Sequence, residues 1–137
     1  MSVRLGCERL LREELEVVRG RRVGLITNHS GIDSQLRATA DNLHAHADID
    51  LRFLFGPEHG IRGDAEDGVR VEDGVDTQTQ VPAVSLYGKR RQPSPDELGQ
   101  IEVLLFDIQD VGVRFYTYLY TMSLGMEACA AAGGPFV

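Results

Sequence analysis

The sequence predicts an α/β fold in which a parallel β-sheet is flanked by helices. Two features support this prediction. Short apolar segments alternate along the chain with segments in which apolar residues recur every three or four positions, the spacing of one helix face. The apolar segments are nearly continuous, as in strands that are covered on both faces. Strands that alternate with helices pair in parallel through right-handed crossovers, so we expect that arrangement here.

The first half of the chain follows this alternation. Leu11, Leu15 and Val18 are spaced by four and then three positions among charged residues, which is typical of an amphipathic helix that Gly20 would end. A short apolar segment follows directly, as expected for a buried strand. The elements predicted up to residue 55 are a helix at 5–18, a strand at 22–27, a helix at 37–47 and a strand at 49–55.

The second half begins with a long loop. Residues 56–80 hold five glycines and seven acidic residues with little periodicity, and loops of this length are usually functional or disordered. The elements predicted after it are a strand at 84–87, a helical turn at 95–98, a strand at 103–108, a helix at 116–132 and a strand start at 135–137. The last helix has an apolar stripe that we expect to pack on the sheet, formed by Phe115, Leu119, Met122 and Met126.

Composition excludes several classes of function. Lys and Arg number 14 against 21 Asp and Glu, and this net charge of −7 argues against nucleic acid or an anionic membrane as partner, since both need a basic face. No apolar run approaches the roughly 20 residues that a membrane span requires. The charges within the first predicted helix exclude a secretory signal peptide there, which leaves the location undetermined, with cytoplasmic as the default.

The sequence points to neither a metal nor a cofactor. Cys7 and Cys129 lie near opposite ends without a second ligand at metal spacing, which argues against a disulfide scaffold or a zinc site. The four histidines form no metal cluster in the sequence. The motifs GxGxxG, GxxxxGK[ST], GxSxG and HExxH are all absent. We therefore expect no bound metal and no cofactor.

The strongest candidate for a catalytic group is Glu58. The segment 56–63, GPEHGIRG, sets an acid, an imidazole and a guanidinium among three glycines directly after a predicted strand. Loops at strand ends carry chemistry on a rigid scaffold, and glycines let the backbone approach a ligand closely. Glu58 is either a general acid or base or an exposed loop acid. His59 would orient Glu58, bind a substrate hydroxyl or cap a turn.

Further polar residues follow the strand predicted at 103–108. Asp107, Gln109 and Asp110 place two carboxylates and an amide there, which suits the binding of sugar hydroxyls or a second catalytic carboxylate. The alternative is that Asp110 caps a turn and that Asp107 pairs with Arg114. The tyrosine series is either half-buried packing on the helix or presents one ring to a sugar face, and at most one of Tyr116, Tyr118 and Tyr120 is expected to touch substrate.

The predicted fold brings these candidates together. In parallel α/β sheets, ligands bind beyond the carboxyl ends of the strands. Each segment that follows a predicted strand should therefore lie at one edge of the sheet. These segments are 28–31, 56–63, 87–88 and 107–114.

The same segments carry a resemblance to a known family. The strings GLITNHSGID, LFGPEHGIRGDAEDG, VSLYG and VLLFDIQDVGVRFYTYLYTM resemble the amino-terminal part of the exo-β-N-acetylmuramidases of the NamZ type, glycoside hydrolase family 171, formerly a domain of unknown function. The resemblance runs with gaps from about residue 24 to residue 137. It departs at His29 and Ser30, where family members typically have Pro and Thr.

The resemblance implies a single Rossmann-like catalytic domain over 1–137, in an enzyme that releases N-acetylmuramic acid from the non-reducing end of peptidoglycan fragments during cell-wall turnover. It also implies that this chain matches about the first third of such an enzyme, incomplete in its sheet and without the carboxyl-terminal domain. Muramyl saccharides would be its partners, and similar enzymes are often exported. The alternative is a non-catalytic α/β module that binds a sugar or a nucleotide.

Carried over by motif, Glu58 matches the proposed catalytic glutamate of the family. The further catalytic candidates are His59, Asp107 and Asp110, and the residues expected to bind substrate are Asn28, Arg62, Gln109, Arg114 and Tyr116. Arg62 and Arg114 are expected at the lactyl carboxylate of the sugar. The second catalytic group is one of the two aspartates, a residue outside this chain, or the substrate's own 2-acetamido group.

Overall fold

The computed structural model describes residues 3–63 and 73–137, so part of the loop predicted over 56–80 lies outside the described residues. The elements in chain order are α1 (Gly6–Arg12), a 3-10 helix (Leu15–Val17), β1 (Arg22–Thr27), α2 (Thr39–His44), β2 (Asp50–Gly56), β3 (Gly74–Val75), β4 (Pro82–Ser85), α3 (Pro95–Leu98), β5 (Val103–Asp107) and α4 (Tyr118–Ala132). None of the helices in the described part is long and apolar enough to cross a membrane.

The strands form one sheet in the order β3-β4-β2-β1-β5. β1 pairs in parallel with β2 and β5, and β2 pairs in parallel with β4. The short strand β3 pairs antiparallel with β4 at the edge. The predicted α/β fold is therefore confirmed. The antiparallel edge strand β3 was not predicted, because two residues are too few to show a periodic pattern. The parallel strands all end at one edge, which we call the carboxyl edge.

Apolar side chains pack against both faces of the sheet. Gly24 in β1 is closely packed, because a Cβ there would lie 2.8 Å from Ile101 Cδ1 and 3.1 Å from Phe55 Cε2. The core on one face includes Val18, Val23, Leu25, Leu43, Leu54 and Leu105. The core on the other face includes Ile26, Phe55, Val84, Leu104 and Cys129. The sheet is thus covered on both sides, as the continuous apolar strands predicted.

The first two helices are shorter than predicted. The helix expected at 5–18 is wrong in its second half, because α1 ends at Arg12 and a separate 3-10 helix follows. This break lets Val18 enter the core, where it is fully buried. α2 begins only at Thr39 because Asp33 Oδ1 accepts the Arg37 backbone N–H at 2.9 Å and holds the preceding residues in a turn.

The prediction of which face of α4 packs on the sheet is wrong. Phe115 precedes the helix and is 83% exposed, and Leu119 is 57% exposed. A Cβ on Gly125 would lie only 3.0 Å from Ile26 Cδ1, so the helix approaches the sheet too closely for a large side chain at this position. The residues buried along α4 are Tyr118, Thr121, Gly125, Ala128 and Cys129.

The predicted end of α4 and the segment after it are confirmed. Gly133 closes the helix in the left-handed conformation with φ 73°, which glycine adopts without strain. Phe136 then forms a parallel bridge with Leu104 of β5. The backbone N–H of Leu104 donates to the Pro135 carbonyl at 3.1 Å, so residues 135–137 add to the sheet beside β5.

Candidate functional site

The carboxyl edge brings together the loops that follow β1, β2, β4 and β5, as the sequence predicted. The loop after β1 touches the end of β5, because a Cβ on Gly31 would lie 2.7 Å from the Asp107 carbonyl oxygen. It also touches the loop after β2, because a Cβ on Gly63 would lie 2.9 Å from His29 Nδ1. The Leu86 N–H, just after β4, donates to the carbonyl of Gly56 at 2.8 Å.

Glu58 lies in a tight turn directly after β2. The Gly60 N–H donates to the Pro57 carbonyl at 3.0 Å and closes the turn around Glu58 and His59. His59 has φ 71°, a left-handed conformation that is uncommon for residues other than glycine and that recurs at functional sites. Gly56 is required here, because a Cβ would lie 3.0 Å from the Ile61 backbone nitrogen. The turn therefore holds Glu58 on rigid backbone.

The Glu58 side chain is only partly buried. Its carboxylate has no hydrogen bond or ion pair with any other residue in 3–63 and 73–137, whereas most acids near it are paired. A general acid or base must be available to exchange a proton with substrate. The structure thus places Glu58 where the sequence predicted and leaves its carboxylate available.

Asn28 lies beside this turn, at the end of β1, and is 3% exposed. Its Oδ1 accepts two hydrogen bonds from Ser30, from the backbone N–H at 2.9 Å and from Oγ at 2.6 Å. Ser30 Oγ in turn accepts the Gln109 backbone N–H at 2.9 Å. These bonds join the loops after β1 and β5 and fix which end of the Asn28 amide is oxygen.

The first residue of α4, Tyr118, faces Asn28. Tyr118 is 7% exposed, and its ring packs edge-on against Tyr116 with ring centroids 5.2 Å apart. Burial raises the pKa of the Tyr118 hydroxyl, the Asn28 side chain opposes this rise, and the negative charge of Glu58 adds to it. Tyr118 is therefore a neutral hydroxyl that shares the surroundings of Asn28 and Glu58.

Arg62 is held by two carboxylates, in a cluster that we call the clamp, formed by Arg62, Asp41, Asp76 and Thr79. Arg62 Nε and Nη2 donate to the two oxygens of Asp76 at 2.8 and 2.7 Å. Its Nη1 and Nη2 donate to Asp41 at 3.2 and 2.7 Å. Asp76, whose side chain is 3% exposed, also accepts the Thr79 N–H and hydroxyl. Hydrogen bonds with Arg62 hold the pKa of Asp76 well below its usual range.

This geometry gives Arg62 a role that differs from the predicted one. Four of its N–H groups already donate to carboxylates, so the guanidinium is not open to a substrate carboxylate. The clamp instead ties the end of the Glu58 loop to α2, through Asp41, and to the segment between β3 and β4, through Asp76. Arg114, by contrast, is exposed.

Asp107 ends β5 and points toward α2. Its Oδ2 accepts the Thr39 hydroxyl at 2.6 Å, and its carbonyl accepts the Thr27 hydroxyl at 2.9 Å. Burial raises the pKa of Asp107, against the opposing effect of Thr39. The alternative in which Asp107 pairs with Arg114 is wrong, since Thr39 is its partner. A catalytic role for Asp107 stays a prediction.

The segment after Asp107 is largely exposed. Asp110 Oδ1 accepts the Gly112 N–H at 2.6 Å, which confirms the alternative in which Asp110 caps a turn. The Gln109 side chain donates to the Asp110 carbonyl at 2.8 Å. Tyr116 is partly buried against Tyr118. Substrate contacts by Gln109, Asp110, Arg114 and Tyr116 stay predictions.

An open groove lies between α2 and the loops after β1 and β2. Its volume is about 570 Å³, within the range of small-molecule sites, and Asn28, His29 and Arg62 contribute to its wall. In residues 3–63 and 73–137, no three His, Cys, Asp and Glu side chains come together as a metal site.

Sequence reasoning missed several residues of this edge. Ser30 appeared only as a departure from the family motif and Tyr118 only as one of three tyrosines, and Thr39, Asp41 and Asp76 did not appear at all. Asp41 and Asp76 stand 21 and 14 residues from Arg62, and nothing local separates them from the other acids of the chain. The one available signal was the cluster of strand-end segments, which located the edge without identifying these partners.

Comparison with known proteins finds relatives of this chain. The family described as "Exo-beta-N-acetylmuramidase NamZ, N-terminal" matches residues 23–137. The peptidoglycan beta-N-acetylmuramidase NamZ of Bacillus subtilis (strain 168) is 48% identical over 136 residues, which is 99% of this chain and 33% of that protein.

Two solved structures share the fold. A DUF1343 family protein from Bacteroides fragilis NCTC 9343 has a TM-score of 0.87 and 44% identity, covering 97% of this chain and 33% of its own. A second protein of that family and organism has a TM-score of 0.79 and 30% identity, covering 99% of this chain and 34% of its own. The chain thus spans about a third of the length of the relatives it matches.

Proposed function

Because the chain belongs to the NamZ N-terminal family of exo-β-N-acetylmuramidases, we propose that it carries the catalytic glutamate of a glycoside hydrolase acting on peptidoglycan. The finer proposal is that the whole protein releases N-acetylmuramic acid from the non-reducing end of peptidoglycan fragments during cell-wall turnover. The curated relative is a peptidoglycan beta-N-acetylmuramidase, which supports this substrate class. The chain spans a third of that relative, so the activity is proposed for the whole protein.

The observation that carries the proposal is the position of Glu58. It lies at the carboxyl edge, in a turn that Gly56 and the Pro57–Gly60 hydrogen bond hold rigid, with its carboxylate unpaired among the described residues. In glycoside hydrolysis, a carboxylic acid protonates the leaving oxygen, or a carboxylate activates water. Glu58 would perform one or both of these steps, and His59 beside it would contact the same sugar.

The second group of the reaction has several candidates. A second carboxylate would stand about 5 Å from the first in a retaining enzyme and about 6.5 to 9.5 Å away in an inverting one. Asp107 is engaged with Thr39, and Asp110 is an exposed turn cap, so neither carboxylate is as available as that of Glu58. A group outside this chain and the 2-acetamido group of the substrate remain the other candidates.

Arg114 is the better candidate for the lactyl carboxylate. Its side chain is exposed, while the guanidinium of Arg62 is already held by Asp41 and Asp76. Arginine binds carboxylates through paired hydrogen bonds, which requires a free edge of the guanidinium. The proposal therefore moves the role shared by two arginines in the sequence prediction to Arg114 alone.

The test is a chimera in which these 137 residues replace the corresponding third of the Bacillus subtilis relative. We expect the chimera to hydrolyse a chromogenic β-N-acetylmuramoside and Glu58→Gln to lower kcat about 10²- to 10⁴-fold, the usual contribution of a general acid or base. Glu102→Gln is the matched control, since Glu102 is an exposed glutamate that precedes β5, at the opposite edge of the sheet.

A Glu58→Gln chimera with kcat close to that of the parent would contradict the role of Glu58. A folded chimera that binds muramyl sugars without hydrolysing them would favour the alternative of a binding module.

A further inference from the structure

The Asn28 amide is fixed in one orientation. Oδ1 accepts the Ser30 N–H at 2.9 Å, and a backbone N–H can only donate, so this atom is the oxygen. Ser30 Oγ accepts the Gln109 N–H and therefore donates its own proton to the same Oδ1, at 2.6 Å. The NH₂ group of Asn28 points the opposite way.

That NH₂ group is buried without a partner. Asn28 is 3% exposed, and its Nδ2 has no hydrogen bond with any residue in 3–63 and 73–137. Buried polar groups are nearly always paired, so a buried unpaired donor calls for an explanation. Asn28, Ser30 and Gln109, on the loops after β1 and β5, hold this donor in place, yet it has no hydrogen bond among the described residues. A ligand acceptor is the simplest explanation.

A second donor faces the same space. The side chain of Asn28 interacts with the Tyr118 hydroxyl and opposes the rise in its pKa, so the two groups lie close together, although Asn28 Nδ2 makes no hydrogen bond of normal distance and angle. Burial keeps the pKa of Tyr118 raised, so the hydroxyl retains its proton at neutral pH. The Tyr116 ring packs edge-on against Tyr118, with centroids 5.2 Å apart, and limits its movement.

We propose that Asn28 Nδ2 and Tyr118 Oη together bind the carbonyl oxygen of the 2-acetamido group of the sugar. This inference rests on the proposed function, because it assumes an N-acetylated sugar whose anomeric carbon lies at Glu58. The acetamido group is attached to the carbon next to the anomeric carbon, so its carbonyl would lie close to the catalytic glutamate.

The chemistry of the two donors favours this group over others on the sugar. Both donors are neutral, and the negative charge of Glu58 lies nearby, so a lactyl carboxylate would be repelled. A free 2-amino group is protonated and would meet two donors without an acceptor. A carbonyl oxygen has two lone pairs and accepts both hydrogen bonds. The pair therefore selects N-acetylated sugars.

The experiment is an NMR titration of the chain with N-acetylmuramic acid, muramic acid and N-acetylglucosamine. We expect the acetylated sugars to bind about tenfold or more tightly than muramic acid, because an analogue that lacks the acceptor leaves two buried donors unpaired. Tyr118→Phe and Asn28→Ala should each reduce this preference about three- to tenfold, the effect of one neutral hydrogen bond. Tyr120→Phe, an exposed tyrosine of the same helix, should leave it unchanged.

Equal binding of acetylated and free amino sugars would overturn this inference and leave the muramidase proposal standing. Tyr118→Phe keeps the packed ring, so an undiminished preference of this variant for acetylated sugars over muramic acid would likewise overturn the inference and leave the muramidase proposal standing. Absence of binding by all three sugars would overturn the inference, while the proposed function, which is made for the whole protein, is decided by hydrolysis in the chimera. If the spectra of Asn28→Ala show loss of fold, the sugar preference of Tyr118→Phe alone decides the inference.

Discussion

Two polar clusters lie at the carboxyl edge, and they differ in how far their hydrogen bonds are satisfied. In the clamp, Asp76 accepts bonds from Arg62 and Thr79 on both carboxylate oxygens. In the other cluster, formed by Glu58, Asn28 and Tyr118, a buried amide NH₂ lacks a partner among the described residues. We call this second group the open cluster. A saturated cluster can only hold the fold together, whereas an unsaturated one can still bind a ligand.

The difference has an energetic consequence. Removing one member of a buried ion pair leaves the other charge uncompensated and destabilises the fold by about 3–5 kcal/mol. Removing a buried polar group that has no partner costs little or even stabilises, since its desolvation was not compensated. Substitutions in the clamp should therefore affect stability, and substitutions of Glu58 or Tyr118 in the open cluster should affect function.

The largest effect on stability is expected from Asp76→Asn. The amide places an NH₂ group against the guanidinium of Arg62, and we expect a loss of about 3 kcal/mol in the free energy of unfolding at pH 7, because Asp41 still compensates Arg62. The pKa of Asp76 is lowered by folding, so its stabilising contribution is present above about pH 4 and is lost as the pH falls further. Urea unfolding measures the loss.

The control for that substitution is Asp50→Asn. Asp50 pairs with Arg52, but both side chains are about half exposed, at 48% and 52%. Such a surface pair contributes about 0.2–1 kcal/mol. If Asp50→Asn destabilises the chain as much as Asp76→Asn does, the distinction between the clamp and ordinary surface pairs is wrong.

A smaller effect, with a pH dependence of the opposite sign, is expected from Asp107→Asn. Burial raises the pKa of Asp107 above its unfolded value, so ionisation of this group destabilises the wild type as the pH rises from the unfolded pKa through the folded one. The asparagine variant keeps an acceptor for the Thr39 hydroxyl and has no such charge. The variant should therefore be more stable, relative to wild type, at pH 7 than at pH 3.5.

Denaturant unfolding at the two pH values measures this difference. A relative stability that does not change with pH, or that changes in favour of the wild type at pH 7, would show that Asp107 is not held in the environment described above.

The smallest effect is expected from Phe115→Ser. The sequence pattern placed Phe115 on a stripe packed against the sheet, but its side chain is 83% exposed. We expect a change within about 0.5 kcal/mol in the free energy of unfolding, as for most surface substitutions. A loss of about 3 kcal/mol or more, the usual cost of truncating a buried Phe, would restore the original prediction of the packing face.

Elements with a strong local signal were predictable from sequence. β1 has the bounds that its apolar run predicted, and α3 begins where Ser94 and Glu97 form a capping box. The packing face of α4 was not predictable in this way. Periodicity weights large apolar residues, while the contact with the sheet depends on Gly125, whose missing side chain allows the close approach to Ile26.

The site was predictable in its location and less so in its partners. Because β1, β2 and β5 are parallel, the residues at their carboxyl ends, Asn28, Glu58 and Asp107, must lie at one edge of the sheet. The commitment of Arg62 to Asp41 and Asp76 depends on contacts across three loops, which no local pattern encodes. Tyr118 was one of three tyrosines at alternate positions, and only the helix orientation shows that it faces Asn28.

The most direct test of the contrast between the two clusters is kcat of the chimera with Glu58→Gln beside that with Asp76→Asn, each corrected for the folded fraction. Glu58→Gln should lose about 10²-fold or more in kcat with an unchanged free energy of unfolding. Asp76→Asn should lose stability but keep kcat within about tenfold in its folded molecules. Retention of kcat by Glu58→Gln, or equal losses of kcat in the two variants, would contradict the assignment of function to the open cluster and of stability to the clamp.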